Sequence, residues 1–237
     1  MRFLHISDLH LGKILNEFSM IEDQRYVLLQ IISMAEEKKV DGILMAGDIY
    51  DRSIPSVEAV QLFDWFLCEL EERALAVYMI SGNHDSKERL CFGNKIFDKK
   101  QIYMQGNVEK QIPYIEKEDD YGIVRIYLLP FFRTAEGKEL FGLERGSTYE
   151  DILKCMLEET KFDPSVRNIL VSHLFFSSAK EAAQTCDSEL ALSVGGISFV
   201  PADLVKDFDY VALGHLHGPQ KVSSERIRYA GSPLKYS

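Results

Sequence analysis

The chain has 237 residues, a length that suits one large α/β domain or a domain with a small appendage. Hydrophobic residues make up 46% and charged residues 27%, an ordinary globular composition that argues against disorder. The net charge of −10 argues against a broad basic face that holds nucleic acid by phosphate contacts alone. Carboxylates clustered around cations would weaken that argument.

Residues 2–7 read as a short buried strand. Over 21–38 the apolar residues Ile21, Val27, Leu28, Ile31, Ile32 and Ala35 recur at helical spacing and predict a helix. Residues 42–46 form a second apolar strand. Residues 57–70, with Val60, Phe63, Phe66, Leu67 and Leu70, predict a second helix, and 76–80 a third strand. Strand, helix, strand, helix, strand predicts a parallel sheet covered on both faces. Residues 86–97 are compatible with a further helix. Residues 111–129 predict two strands around Asp119-Asp120-Tyr121-Gly122, a hairpin turn by composition. Residues 131–147, rich in glycine and charge, predict a loop. Residues 148–160 predict a helix with Thr148 as its N-cap. Strands are expected at 167–172 and 210–213, and a last one at 226–230. The chain shows no repeat, low-complexity tract or linker, so residues 1–237 read as one domain. It stops at Ser237 within what reads as an element, the pattern expected of part of a longer protein.

Cys68, Cys91, Cys155 and Cys186 are widely and irregularly spaced, with no C-x-x-C pair. They read as ordinary thiols of a reducing compartment. The N-terminal Phe3-Leu4-His5-Ile6 is too short for a signal-peptide core, and no apolar run reaches the length of a membrane span. The expectation is a cytoplasmic protein with no membrane association.

Each informative motif starts where a predicted strand ends: Asp8-Leu9-His10, Gly47-Asp48-Ile49-Tyr50-Asp51, Gly82-Asn83-His84-Asp85, His173, and Gly214-His215-Leu216-His217. In a parallel sheet such ends lie along one edge, where ligands bind. Asp8 and His10 are two apart, as are His215 and His217, so in extended chain each pair faces one way. Carboxylates, imidazoles and the Asn83 amide suit manganese, iron or zinc, and the absence of thiolates argues against a structural zinc site. The glycines at 47, 82 and 214 are expected to let the backbone turn beneath the ligands. Asp8, His10, Asp48, Asn83, His173, His215 and His217 exceed the needs of one tetrahedral ion. Two ions sharing Asp48 account for them, and such a pair suits phosphate-ester hydrolysis. The expected division gives Asp8, His10, Asp48 and His217 to one ion, and Asp48, Asn83, His173 and His215 to the other. His84 is left over. It is the candidate to protonate the leaving oxygen or to steady the phosphoryl group, with the Asp51 carboxylate holding its other ring proton.

Blander readings apply to other residues. His5, inside the first strand, is expected to be structural. Asp85 is expected to cap the following helix. Lys13, Lys87 and Arg89 follow motifs and are candidates to touch a phosphate backbone, with solvated surface charge an equal alternative. Phe63, Trp65, Phe66 and Phe97 could form a dimer face, but ordinary core is the commoner explanation.

The ordered set of motifs resembles the calcineurin-like metallophosphoesterases over nearly the whole chain. The stretches Phe3-Leu4-His5-Ile6-Ser7-Asp8-Leu9-His10-Leu11-Gly12-Lys13, Gly47-Asp48-Ile49-Tyr50-Asp51, Gly82-Asn83-His84-Asp85-Ser86, Asp209-Tyr210-Val211-Ala212-Leu213-Gly214-His215-Leu216-His217 and Tyr229-Ala230-Gly231-Ser232-Pro233-Leu234 are similar to the SbcD-type nucleases of DNA break repair. The resemblance implies a four-layer α-β-β-α sandwich, with two mostly parallel or mixed sheets face to face and helices outside. It implies a manganese-dependent double-strand exonuclease and single-strand endonuclease, acting on DNA in repair and recombination. It implies a homodimer and an SbcC-type ATPase partner. Archaeal relatives have a histidine where this chain has Asp51. The family's capping and partner-binding segments are expected to be absent from residues 1–237. Two alternatives stand beside this reading. One is a calcineurin-like phosphodiesterase or phosphatase for a small molecule or phosphoprotein. The other is a non-catalytic interaction module, which should show eroded ligands; here all are present.

Overall fold

A computed structural model describes residues 1–178 and 199–236, so Cys186 and Ser237 lie outside the described residues. Strand β1 (Phe3–Ile6) leads into a small hairpin of β2 (Ile14–Leu15) and β3 (Phe18–Ser19), then α1 (Ile21–Lys38), β4 (Gly42–Ala46), α2 (Val57–Glu72) and β5 (Ala76–Ile80). Next come α3 (Lys87–Leu90), α4 (Asn94–Phe97), β6 (Ile102–Gln105), and the hairpin of β7 (Tyr114–Asp119) and β8 (Gly122–Leu129). Helices α5 (Thr134–Phe141) and α6 (Tyr149–Thr160) precede β9 (Arg167–Ser172) and β10 (Phe176–Ser177). The described chain closes with β11 (Val200–Pro201), β12 (Tyr210–Leu213), β13 (Gln220–Val222) and β14 (Ser224–Tyr229).

Two sheets organise the molecule. One has four parallel strands in the order β1-β4-β5-β6. The other has six strands in the order β13-β14-β12-β9-β8-β7, parallel in its centre and antiparallel at both edges. Side chains alternate across a pleated strand, and here both sides are apolar. Ile43, Met45, Val77 and Met79 face outward onto Leu28, Ile32, Phe63 and Phe66 of α1 and α2. Their neighbours Leu44, Ala46, Tyr78 and Ile80 face inward and meet Ile126, Leu128, Val171 and Ala212 of the second sheet. Tyr127, Leu170, Val211 and Leu213 face outward from that sheet onto Ile152, Leu153 and Met156 of α6. The result is the four-layer sandwich. The first sheet is therefore covered by helices on one face and by a sheet on the other, not by helices on both. Phe63 and Phe66 are core, and Trp65 and Phe97 pack partly buried against it.

Two expectations fail locally. Residues 86–97 do not make one helix, because Gly93 adopts φ +78° between α3 and α4. Residues 131–147 are not all loop, because α5 occupies 134–141. A Cβ on Gly137 would lie 2.7 Å from Ile152 Cγ2, so the glycine, a poor helix former, lets α5 approach α6 closely. Thr148 caps α6 as expected, its hydroxyl accepting from the Asp151 N–H.

Candidate metal centre

The five motifs follow the C-terminal ends of parallel strands, but of both sheets. Those after β1, β4 and β5 come from the first sheet, and those after β9 and β12 from the second. The strands do not simply run on into them. Asp8, His10, Asp48 and His215 adopt left-handed backbone conformations, with φ of 54°, 44°, 52° and 97°. Such angles are costly for non-glycine residues and persist only where the surroundings enforce them. Here neighbouring loops do so. The Asp8 and His10 N–H groups donate to the Gly47 and Asp48 carbonyls, both at 3.0 Å. The His215 N–H donates to the Asp8 carboxylate at 3.1 Å, and the His84 N–H to Asp48 Oδ1 at 2.9 Å. Of the three glycines, only Gly47 turns with positive φ, at +86°. Gly82 and Gly214 serve by having no side chain, since a Cβ on either would strike Asp48 Oδ1 at 2.1 Å or the Ala46 carbonyl at 2.0 Å.

The turns gather the side chains. Asp48 Oδ2 lies 3.3 Å from His173 Nε2, 3.7 Å from His10 Nε2 and 3.9 Å from His84 Nε2. On one side, His10 Nε2 and His217 Nε2 are 3.1 Å apart. On the other, Asn83 Oδ1 is 3.1 Å from His173 Nε2 and 3.0 Å from His215 Nδ1. Asp8, His10 and His217 offer one compact set of ligand atoms, and Asp8, Asp48 and His173 another. His215 and His217 thus reach different ends of the centre, because the left-handed turn at His215 replaces the extended chain that would have aligned them. His84 joins a third set with His10 and Asp48. Its side chain is 37% exposed, whereas His10 and His173 are buried.

Orientation is built in. A carbonyl only accepts, so His173 Nδ1–H donates to Ala46 O at 2.6 Å and leaves Nε2 facing Asp48. Likewise His84 Nδ1–H donates to the Asp51 backbone carbonyl at 2.8 Å and leaves Nε2 open. This corrects the expected role of Asp51. Its carboxylate meets the Lys13 ammonium at 2.9 Å instead, with His10 Nδ1 at 3.7 Å. Asp85 is also corrected. Its oxygens accept from the Gly82, Tyr50 and Ile49 N–H groups at 2.9, 2.9 and 3.1 Å, tying the β4 loop to the β5 loop. Ser86 caps α3 in its place. Sequence reasoning missed Gln24 and Tyr236. Gln24 Nε2 donates to the His10 carbonyl at 2.8 Å, and the Tyr236 hydroxyl donates to Leu9 O at 2.6 Å. His5 is structural, bonded to the Tyr210 hydroxyl and Leu213 O, each at 3.1 Å. Lys87 pairs with Glu136 at 2.8 Å, and Arg89 is exposed.

Charge decides what the centre can hold. Burial pushes the Asp8 carboxyl up to about 7 and the Asp85 carboxyl to about 6. It pushes His10 and His215 down to about 3, so both rings are neutral. Burial also opposes charge on Asp48 and His173, but their mutual attraction wins: Asp48 falls well below the carboxylate range and His173 rises to about 9. A buried Asp48 carboxylate and a partly protonated Asp8 therefore face several lone-pair nitrogens, with one imidazolium between them. The buried His10 Nδ1 has no hydrogen-bond partner. Ring nitrogens at 3.1 Å need a proton or a cation between them. The donor set is that of a borderline-hard divalent cation, and the residues fit one.

The family model of the calcineurin-like phosphoesterases matches residues 1–219, and the chain belongs to that family. Among curated proteins it is similar to the SbcD component of the SbcCD nuclease of Staphylococcus epidermidis, at 38% identity over 240 residues. The match takes in 100% of this chain, which spans 62% of that relative. Among solved structures it resembles phosphopantetheinyl hydrolase (PptH) from Mycobacterium tuberculosis, at TM-score 0.53 and 16% identity over 98% of this chain and 90% of that one. It also resembles TT1561 of Thermus thermophilus, at TM-score 0.55 and 11% identity over 98% and 89%. These two share the fold. Among the described residues, no helix is long and apolar enough to cross a membrane.

Proposed function

We propose that residues 1–237 form the nuclease domain of a metal-dependent DNA nuclease, a double-strand exonuclease and single-strand endonuclease of DNA-break repair. The observation behind this reading is the Asp48 carboxylate. Oδ2 faces His173 at 3.3 Å and His10 at 3.7 Å, so one group serves both ends of the ligand array. Asp8, His10, Asp48 and His217 would hold one divalent ion, and Asp48, Asn83, His173 and His215 the other, with manganese the preferred metal. Such a pair supplies an activated water and charge stabilisation for the attacking and leaving oxygens of a phosphodiester.

The chain's own residues do the rest. His84 presents Nε2 at the mouth of the centre and, as the imidazolium with a proton on each ring nitrogen, gives the Nε2 proton to the leaving oxygen and is left neutral. The Asp51 carbonyl holds the Nδ1–H and with it the ring's orientation, and Asp48 Oδ1 fixes the backbone N–H. Lys13, held by Asp51, offers a cation to the flanking phosphate. The similarity to a component of SbcCD supports an SbcC-type ATPase partner; a homodimer and a cytoplasmic site of action belong to the same proposal.

The test is hydrolysis of linear duplex and single-stranded DNA beside a small chromogenic phosphodiester, with manganese and with chelator. DNA cleavage that chelator abolishes supports the reading. Hydrolysis of the small ester alone would instead favour a phosphodiesterase of small molecules.

A further inference from the structure

A cleft of about 310 Å³ opens beside the metal centre and shares Gly82 and Asn83 with it. Its far wall comes from the start of α5, in the segment expected to be loop. Its charged lining comprises the cations Lys87 and Arg133 beside the carboxylates of Asp85, Glu88 and Glu136. Lys87 Nζ meets Glu136 at 2.8 Å, and both side chains remain about a third exposed, at 32% and 38%. An ion pair this open is weak and readily exchanges its carboxylate for another anion. Arg133 is exposed, and its backbone is fixed by the Glu136 carboxylate, which accepts the Arg133 N–H at 3.3 Å. A guanidinium so placed suits bidentate contact with phosphate oxygens. Phe131 completes the wall. Its N–H donates to Ser81 O at 3.0 Å, and its ring stands edge-on to His173, with centroids 6.5 Å apart. The Asp85 carboxylate, also in the lining, is occupied by backbone N–H groups.

An amide shared with the metal centre, then two cations, then an aromatic ring matches one nucleotide of a strand: a phosphate to be held and a base with a face to stack. Taking the nuclease reading as its basis, we propose that this cleft is a nucleotide subsite, binding the unit next to the scissile phosphodiester. Lys87 and Arg133 hold the neighbouring phosphate and Phe131 meets the base. Glu136 is the internal anion that the phosphate displaces from Lys87.

The experiment compares steady-state kinetics on a short single-stranded oligonucleotide and on bis(p-nitrophenyl) phosphate, which is too small to span centre and cleft. The manganese-loaded protein is assayed with Lys87→Ala, Arg133→Ala and Glu136→Gln. Each Ala variant should raise KM on the oligonucleotide by about fivefold or more beyond any change on the small ester. Glu136→Gln should lower KM on the oligonucleotide, because it frees Lys87 and keeps an acceptor for the Arg133 N–H. Parallel changes on both substrates, or none on the oligonucleotide, would overturn the subsite. Failure of the nuclease reading shows separately, as an unmutated protein that cleaves the ester and leaves DNA intact; the subsite then falls with it.

Discussion

Asp48 divides its work between its two oxygens. Oδ1 accepts the His84 N–H and so fixes the loop that presents His84, while Oδ2 faces the imidazoles. The loss of His84 should therefore separate chemistry from metal binding. His84→Ala is expected to keep its manganese by elemental analysis and to lose turnover by roughly 10²–10⁴-fold. Asp51→Asn should cost far less, since the atom that orients His84 is the Asp51 carbonyl. Equal losses in the two variants would restore the carboxylate to that role. Proton linkage gives a second prediction. Without metal, Asp8 titrates at about 7 and His173 at about 9. Both pKa values are raised, so near neutral pH His173 and part of Asp8 are protonated, and bound cations must displace those protons. Manganese binding should release protons and weaken as pH falls. Calorimetric titrations in buffers of different ionisation enthalpy measure this, and binding without proton release would contradict it. The candidate ligands were legible in the sequence because ligand types recur at strand ends with glycine beside them. Asp85, Gln24 and Tyr236 were not, because they act on backbone N–H and C=O groups, which spacing does not encode.

At the scale of elements, the strands with an apolar centre were the most legible. β4, β5, β9, β12 and helix α1 begin and end where pattern alone placed them. The pattern also shows that these strands are buried on both faces, but not whether a helix or a sheet covers each face. The second sheet was therefore expected from family resemblance and not from periodicity. Helix α5 was illegible for a physical reason. Gly137 lowers helix propensity, yet it is what allows the contact with Ile152. Two effects compete in Gly137→Ala. The gain in helix propensity is about 1 kcal/mol, whereas overpacking a filled core costs roughly 1–3 kcal/mol. The expected outcome is a net loss of about 1 kcal/mol in denaturant unfolding; a stabilised variant would show that α5 and α6 have room to spare. Tyr236→Phe keeps the ring and removes the bond to Leu9 O. It should weaken manganese binding more than it lowers the melting temperature, since the bond supports the turn bearing His10. A fall in melting temperature with unchanged affinity would reduce Tyr236 to a packing residue.

For the molecule as a whole, the function depends on two sheets held in fixed relation, because each supplies only part of the ligand set. The apolar layer between them, with Leu44, Tyr78, Ile126 and Val171, sets the distance between His173 and Asp48. His5 lies in the same layer, and burial lowers its pKa to about 4. Its folded pKa is below the ordinary 6.5, so its contribution is intact above pH 6.5 and is lost as pH falls towards 4. His5→Gln should flatten that part of the acid-unfolding profile of the metal-free protein; an unchanged profile would show that other groups set it. The central claim is that the loops of both sheets enclose a pair of cations bridged by Asp48. Anomalous-difference density from crystals grown with manganese tests it most directly. The expected result is two peaks about 3.5–4 Å apart on either side of the Asp48 carboxylate. A single peak, or peaks remote from Asp48, would contradict it.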